Sequence, residues 1–208
     1  MVLPQPAFGA EAADLRLDDR ASGIQDNGDR AGETPDPYDT AEALSAAGRE
    51  VGYAVDFFDT DLSALLDGGV FAAGSSVEVF ASPESASASI VRELAELQRA
   101  ECQKVDGEAR IERVRTFATD LPEAIGFRVQ ERLAGTVVWR TYVRLRHGSI
   151  VGTAALVRAD RRDVRDRVAE LARALERRID GVLDGRIAAD AAPLPGRGDE
   201  PAGASSAD

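Results

Sequence analysis

The chain has 208 residues, of which 44% are hydrophobic and 30% are charged, and its formal net charge is −12. This composition is typical of a soluble globular domain and excludes a fibre, a membrane span and a globally disordered chain. The negative charge disfavours nucleic acid as a partner, and the single cysteine, Cys102, excludes an intrachain disulfide and a thiolate metal cluster.

Both ends of the chain are polar. Residues 18–37 and 185–208 are rich in Asp, Gly, Ser and Pro and lack apolar periodicity, a pattern that predicts loop or disorder. We therefore predict a flexible acidic N-terminal segment over 1–37, a single α+β domain over 38–184 and a disordered tail over 185–208. Within the first segment, 15–17 is interpreted as a short strand or a docked segment.

Helices and strands alternate in the first half of the predicted domain. In chain order, the apolar pattern predicts a helix at 39–48, a strand at 51–57, one helical turn at 61–66, a strand at 70–80 and a helix at 82–101. Ser82 is expected to cap the last helix, and Pro83 occupies its first position. This helix carries its apolar stripe on Ala86, Ile90, Leu94 and Leu97.

Strands and one long helix follow. Strands are predicted at 113–118, 126–133 and 137–145, with a further strand beginning at Ile150, and then a helix at 161–182 whose apolar stripe is Val164, Val168, Leu171, Leu175, Ile179 and Val182. The fold class is therefore α+β, with an antiparallel sheet of five to six strands, a long C-terminal helix and a second helix. If a helix covers the second face of the sheet, the domain is an α/β/α sandwich.

The hairpin between the strands at 126–133 and 137–145 has two candidate registers. A two-residue loop would place Val129 opposite Arg140, whereas a three-residue loop over 134–136 would place Val129 opposite Thr141. If all apolar side chains share one face of the sheet, the three-residue loop is the correct one. We predict that register.

Three segments resemble secreted or lipid-anchored bacterial domains of the PsbP-like α/β/α sandwich type, many of them actinobacterial. They are the strand 51–57, the strand, cap and helix start at 74–86, and the turn region 144–151. The resemblance spans roughly residues 15–183 and implies a fold and a cell-envelope location, but no catalytic residue. The chain departs from the lipoprotein pattern in lacking an N-terminal acylatable cysteine, and from related sensor domains in lacking a disulfide pair.

The candidate binding residues form a basic set on two strands of an acidic chain. In the predicted register, strand alternation places five side chains on one face: Arg128, Arg132, Arg140, Tyr142 and Arg144. Guanidinium groups bind carboxylate or phosphate groups through paired hydrogen bonds, and a tyrosine ring offers a stacking surface. The alternative is that acids of the same domain neutralise these arginines.

Catalytic and metal chemistry are weakly indicated. The single histidine, His147, lies in a predicted turn and is interpreted as conformational. The acidic clusters at 26–29 and 56–61 offer oxygen ligands but do not match a calcium loop. Sequence alone therefore predicts no catalytic residue, no metal site and no cofactor.

We predict a non-catalytic binding or interaction module, with an unidentified small ligand or protein as partner and no transmembrane segment. The alternatives are a cytosolic regulatory or assembly domain and an enzyme of another type. Residues 10–14 (AEAAD) have the small-x-small pattern of a signal-peptide cleavage site. We therefore expect export to the cell envelope if an apolar stretch precedes Met1, and a cytoplasmic location otherwise.

Overall fold

The computed structural model describes residues 1–33, 40–61, 63–101, 104–105, 109–133 and 135–187. Within them, nine strands form one sheet in which every pairing is antiparallel. The strands are β1 (Arg16–Leu17), β2 (Gly23–Gln25), β3 (Arg49–Phe58), β4 (Val70–Phe80), β5 (Lys104–Val105), β6 (Ala109–Phe117), β7 (Ala124–Leu133), β8 (Thr136–His147) and β9 (Ile150–Arg158). The order across the sheet is β1-β3-β4-β9-β8-β7-β6-β5, and β2 pairs with β3.

The described helices are α1 (Asn27–Glu33), α2 (Ala41–Ala46), α3 (Ser63–Asp67), α4 (Pro83–Ala100) and α5 (Arg165–Leu183). The α+β class, the antiparallel sheet and the long C-terminal helix are confirmed. The sheet has more strands than the five to six predicted, because β1, β2 and β5 are only two or three residues long and too short to show a period of two.

Helices cover both faces of the sheet, which makes the domain an α/β/α sandwich. The α5 face holds the main core, where Leu171, Leu175 and Ile179 are fully buried against β8 and β9. On the other face, Leu94 and Leu97 of α4 pack against a buried cluster that is centred on Phe127, Val129 and Tyr142. No described helix has the length and apolar character that crossing a membrane requires.

Local signals explain where the two long helices begin. The Ser82 side chain accepts a hydrogen bond from the Ser85 amide at 3.2 Å, and Pro83 occupies the first turn of α4, so the predicted cap is confirmed. The predicted stripe of α5 is also confirmed from Val164 to Ile179, all five of whose apolar positions are buried.

The prediction of a flexible N-terminal segment is wrong for its described part, 1–33. Leu3 and Phe8 are 3% exposed and belong to the main core. The Leu3 amide donates to Ser75 Oγ at 2.8 Å, and the Phe8 ring packs edge-on against Phe57 with centroids 5.9 Å apart. This segment forms short 3₁₀ turns at Gln5–Phe8 and Ala10–Ala12 and has no helical or strand periodicity. The sequence pattern therefore could not predict that these side chains are buried.

The same segment bears on the small-x-small pattern at 10–14. Ala12 is buried in the core, and cleavage after it would remove Leu3 and Phe8 from the domain, which argues against a cleavage site there. The strand interpretation of 15–17 is confirmed at β1 (Arg16–Leu17). The remainder of the predicted acidic segment, the tail from residue 188 onward and Cys102 lie outside the described residues.

The predicted register of the β7–β8 hairpin is wrong. Leu133 lies opposite Thr136 and Val129 lies opposite Arg140, so the loop has two residues. The prediction assumed that all apolar side chains share one face of the sheet. Helices cover both faces, and the two strands divide their apolar side chains: Val129 packs beneath α4, whereas Val143 packs beneath α5.

Shortening the Phe8 side chain tests whether the N-terminal segment is part of the folded domain. Phe8→Ala should lower the free energy of unfolding by about 3 to 5 kcal/mol, because it leaves a cavity in the main core. Asp14→Ala, an exposed position in the same segment, should change it by less than about 0.5 kcal/mol. Urea unfolding of both variants measures the difference, and equal midpoints would show that the segment is not docked.

Candidate anion-binding groove

A groove lies where α5 leaves the sheet uncovered. The helix packs mainly against β8 and β9, and the same face of β6 and β7 extends beyond it. The groove has a volume of about 630 Å³, and its wall and floor are formed by arginine, glutamine and aromatic side chains. The residues that line it are Arg113, Arg115, Thr116, Phe117, Arg128, Gln130, Trp139, Arg161 and Arg165. We call this feature the arginine groove.

Strand register brings the basic side chains together. Arg115 lies directly opposite Arg128, and Arg113 lies opposite Gln130, in the β6–β7 ladder. Residues two apart on a strand point to the same face, so Arg113 and Arg115 project together beside the floor. The groove therefore depends on the alternation of β6 and on its pairing with β7.

Arg128 is a fixed part of the floor. Its guanidinium lies 4.6 Å from the centroid of the Trp139 ring, a cation–π geometry. Its Nη2 donates to the carbonyl oxygens of Arg161 at 2.9 Å and Arg162 at 3.4 Å. With 18% of its side chain exposed, Arg128 links β7 to the loop that precedes α5.

Arg165 is held at the start of α5. It donates to both carboxylate oxygens of Asp163 at 2.6 to 3.0 Å, and its guanidinium lies 6.0 Å from the Phe117 ring centroid. The side-chain hydrogen bond from Arg165 lowers the pKa of Asp163 below its ordinary value, so Asp163 is ionised at neutral pH. The same carboxylate lies 3.8 Å from Arg128 Nη1, so Asp163 faces two of the five guanidinium groups that line the groove.

Three arginines of the groove have no acid partner among the described residues. Arg113, Arg115 and Arg161 are exposed, and none forms an ion pair or a side-chain hydrogen bond with another described residue. By contrast, most of the other described arginines near the sheet are bound to carboxylates. The groove therefore concentrates uncompensated positive charge in a chain whose net charge is −12.

Acidic side chains limit the groove at both ends. Glu112 accepts from Arg132 Nε at 2.7 Å and from Gln130 Nε2 at 2.5 Å, and the hydrogen bond from Arg132 lowers the pKa of Glu112. Beyond Phe117 the chain reaches Asp120, whose carboxylate accepts from Arg173 of α5 at 2.7 Å. The part of β6 that lines the groove, Arg113 to Phe117, lies between these acids, and Arg110 lies beyond Glu112, opposite Arg132.

The structure separates the five predicted binding residues. Arg128 and Arg132 lie on the α5 face, where Arg128 belongs to the arginine groove and Arg132 is bound to Glu112. Arg140, Tyr142 and Arg144 lie on the α4 face, because the hairpin register differs from the predicted one. The five side chains therefore do not form one surface.

The three residues on the α4 face are all bound to glutamate side chains of the same domain. Arg140 donates to Glu131 at 3.0 Å. Tyr142 Oη donates to Glu93 of α4 at 2.8 Å, and Arg144 is bound to the same carboxylate. The geometry here matches the alternative in which the domain's own acids pair with its arginines.

Glu78 is the centre of a buried charge network on that face. The carboxylate accepts from Arg49 Nε at 2.8 Å and from Arg144 Nη2 at 2.6 Å. Burial alone would raise the pKa of Glu78, but attraction to Arg144, Arg30 and Arg49 outweighs it and lowers this pKa from 4.5 to about 2. The ionised carboxylate holds two buried guanidinium groups in the sheet.

The network also anchors the N-terminal segment. Arg49 Nη1 donates to Asn27 Oδ1 at 2.8 Å and to the backbone oxygens of Gln25 and Asp26 at 3.3 to 3.4 Å. Asn27 returns a hydrogen bond to the Arg49 carbonyl oxygen at 2.9 Å. The start of α1 is thereby bound to β3 through a single buried guanidinium.

The other candidate residues have structural contacts. His147 Nε2 lies 3.4 Å from Asp180 Oδ1 of α5. Asp59 accepts from the amides of Asp61 and Ala64 at 3.1 and 2.8 Å, and Asp26 and Asp29 accept from each other's amides. No group of three metal-ligating side chains occurs within the described residues.

Comparison with known proteins shows the fold but no family. No family model matches the chain, and no curated protein matches it. Among solved structures, the extracellular domain of PknH from Mycobacterium tuberculosis has a TM-score of 0.53 and 9% sequence identity over 85% of this chain and 93% of that chain. This chain is therefore similar to that domain in fold. The resemblance to PsbP-like sandwiches stays a prediction.

The sequence analysis missed most of the groove. Arg113 and Arg115 alternate on a predicted strand, and this alternation was the available signal. The position of these two arginines beside Arg128 depends on the β6–β7 register. The position of Trp139 beside Arg128 depends on the β7–β8 register. The contribution of Arg161 and Arg165 depends on the position of α5, which no local pattern gives.

The buried network predicts how stability depends on pH. Because the folded-state pKa of Glu78 is about 2, below its ordinary 4.5, the ionised group stabilises the fold above pH 4.5, and this stabilisation is lost as the pH falls towards 2. Glu78→Gln should lower the free energy of unfolding at pH 7 by about 3 to 5 kcal/mol, since two buried guanidinium groups lose their counterion. It should also flatten the decline between pH 5 and pH 2.

Glu50→Gln, an exposed position on the same strand as Arg49, is the matched control and should retain the wild-type pH dependence. Urea unfolding at intervals between pH 2 and pH 7 measures both variants. If Glu78→Gln and Glu50→Gln unfold alike at every pH, Glu78 does not have the stabilising role assigned to it.

Proposed function

We propose that this protein is a non-catalytic binding module that recognises an anionic ligand in the arginine groove. The observation that carries the proposal is the group of exposed arginines Arg113, Arg115 and Arg161, which have no ion-pair partner among the described residues and line one groove. Elsewhere in the fold, arginines such as Arg144 and Arg158 are bound to carboxylates.

Electrostatics supports this proposal. Five guanidinium groups line the groove, and one carboxylate, Asp163, forms ion pairs with two of them, Arg165 and Arg128. The other three have no ion-pair partner among the described residues. Like charges held close together repel one another, and an anion that enters the groove relieves this repulsion. Guanidinium groups also match the geometry of phosphate and carboxylate through paired hydrogen bonds.

The lining favours binding over catalysis. The described residues that line the groove are arginine, glutamine, threonine, phenylalanine and tryptophan. An arginine guanidinium stays protonated at all physiological pH values, and the remaining side chains do not titrate near neutrality. A general acid or base needs a pKa near the working pH, so this groove is suited to holding a ligand rather than to transferring its protons.

The proposal includes association with the cell envelope. The fold similarity to the extracellular domain of PknH supports it, although at 9% identity the similarity concerns the fold alone. Fractionation of the producing cells is expected to recover the protein with the envelope or in the medium. Recovery in the cytoplasm would favour the regulatory or assembly alternative.

Charge reversal in the groove tests the binding function. A variant with Arg115→Glu and Arg161→Glu should lose stabilisation by anions, because two of the free guanidinium groups are replaced by carboxylates. Wild-type protein should show a higher Tm in millimolar phosphate, citrate or pyrophosphate at constant ionic strength, since a ligand that binds only the folded state stabilises it.

The matched control carries Arg20→Glu and Arg177→Glu, two exposed positions outside the groove with the same total change in charge. It should respond to the anions as wild type does. If wild type shows no rise in Tm, or if both double variants respond equally, the groove is not an anion site.

A further inference from the structure

We infer that the ligand is a short molecule with at least two phosphate or carboxylate groups, one held on each wall of the arginine groove. This inference rests on the proposed function and adds the size and valence of the ligand. It follows from which guanidinium groups in the groove already have partners and from where the lining of the groove ends.

The arginines without a partner among the described residues come from two different elements. Arg113 and Arg115 project from β6 and form the strand wall, whereas Arg161 lies in the loop before α5 and forms the loop wall. Arg128 lies between them as part of the floor. A single phosphate or carboxylate group that is held by the strand wall therefore leaves the loop wall without a partner.

Arg128 and Arg165 already have acceptors. Arg128 uses its Nη2 on the carbonyl oxygens of Arg161 and Arg162 and lies over Trp139. Arg165 is bound through two nitrogens to Asp163, which also lies 3.8 Å from Arg128 Nη1. Since this carboxylate faces both groups, the unpaired charge and the directional contacts for a ligand come from the two walls.

The length of the groove limits the ligand. The part of β6 that lines it runs from Arg113 to Phe117, four residues or about 14 Å along the strand. Glu112, bound to Arg132, lies at one end, and Asp120, bound to Arg173, lies beyond the other. A long polyanion would extend out of the groove past these acids, where a protein of net charge −12 repels it. A short ligand keeps its charges within the groove.

Two anionic groups on one molecule gain from simultaneous binding. Once the strand wall holds the first group, the second is presented to the loop wall at a high effective concentration. Orthophosphate, with one group, should occupy the strand wall, where two guanidinium groups are available. Tripolyphosphate carries three linked phosphate groups, so one can bind the strand wall while another is presented to the loop wall.

Isothermal titration with these two probes, at matched ionic strength, tests the inference. Tripolyphosphate should bind wild type at least tenfold more tightly than orthophosphate does. Arg161→Gln should remove most of that advantage while it changes orthophosphate affinity less than twofold. Arg115→Gln should weaken both probes, and the control Arg177→Gln should weaken neither; urea midpoints for each variant confirm that the fold is retained.

The outcomes separate the inference from the proposed function. If both probes bind with equal affinity, or if Arg161→Gln leaves the tripolyphosphate advantage intact, the two-wall inference is wrong but the groove remains an anion site. If a long polyphosphate chain binds more tightly per chain than tripolyphosphate at equal ionic strength, the size limit is wrong. If neither probe binds, or if Arg115→Gln and Arg177→Gln behave alike, the proposed function itself fails.

Discussion

The architecture depends on one constraint: a single α-helix is much narrower than the sheet on which it packs. An α-helix with its side chains is about 10 to 12 Å across, and neighbouring strands lie about 4.8 Å apart, so one helix covers roughly two strands. On the α5 face, the helix covers β8 and β9, and the N-terminal segment covers β3 and β4 through Phe8 and Leu3. The strip over β6 and β7 is left open, and arginine side chains line it.

The two faces of the sheet use arginine in different ways. Beneath α4, the charges of Arg49 and Arg144 are satisfied by Glu78 and Glu93, so burial is possible and the pairs connect α4, β3 and the start of α1. Replacing such a network with apolar groups can leave the stability of the fold unchanged, but removing one partner lowers the stability because a buried charge is left unpaired. On the α5 face, Arg113, Arg115 and Arg161 have no such partners among the described residues.

Sequence patterns predicted the periodic elements and failed where tertiary contacts decide. The strand 70–80, the cap at Ser82 and the stripe of α5 follow from local periodicity and capping chemistry, and all are confirmed. Leu3 and Phe8 follow no period, because isolated side chains on 3₁₀ turns enter the core. The predicted hairpin register was wrong because Val129 and Val143 lie on different faces of the sheet. The predicted set of binding residues therefore does not lie on one face. Of the five predicted residues, Arg128 lines the groove.

Fluorescence of Trp139 measures the central claim most directly. It is the single tryptophan of the chain, and it lies in the floor of the groove beneath Arg128. If an anion binds between the walls, titration with pyrophosphate at constant ionic strength should change the Trp139 emission in a saturable manner, with the midpoint that calorimetry gives for the same ligand. An anion that stabilises the protein while the Trp139 emission stays constant would place binding elsewhere and contradict the account.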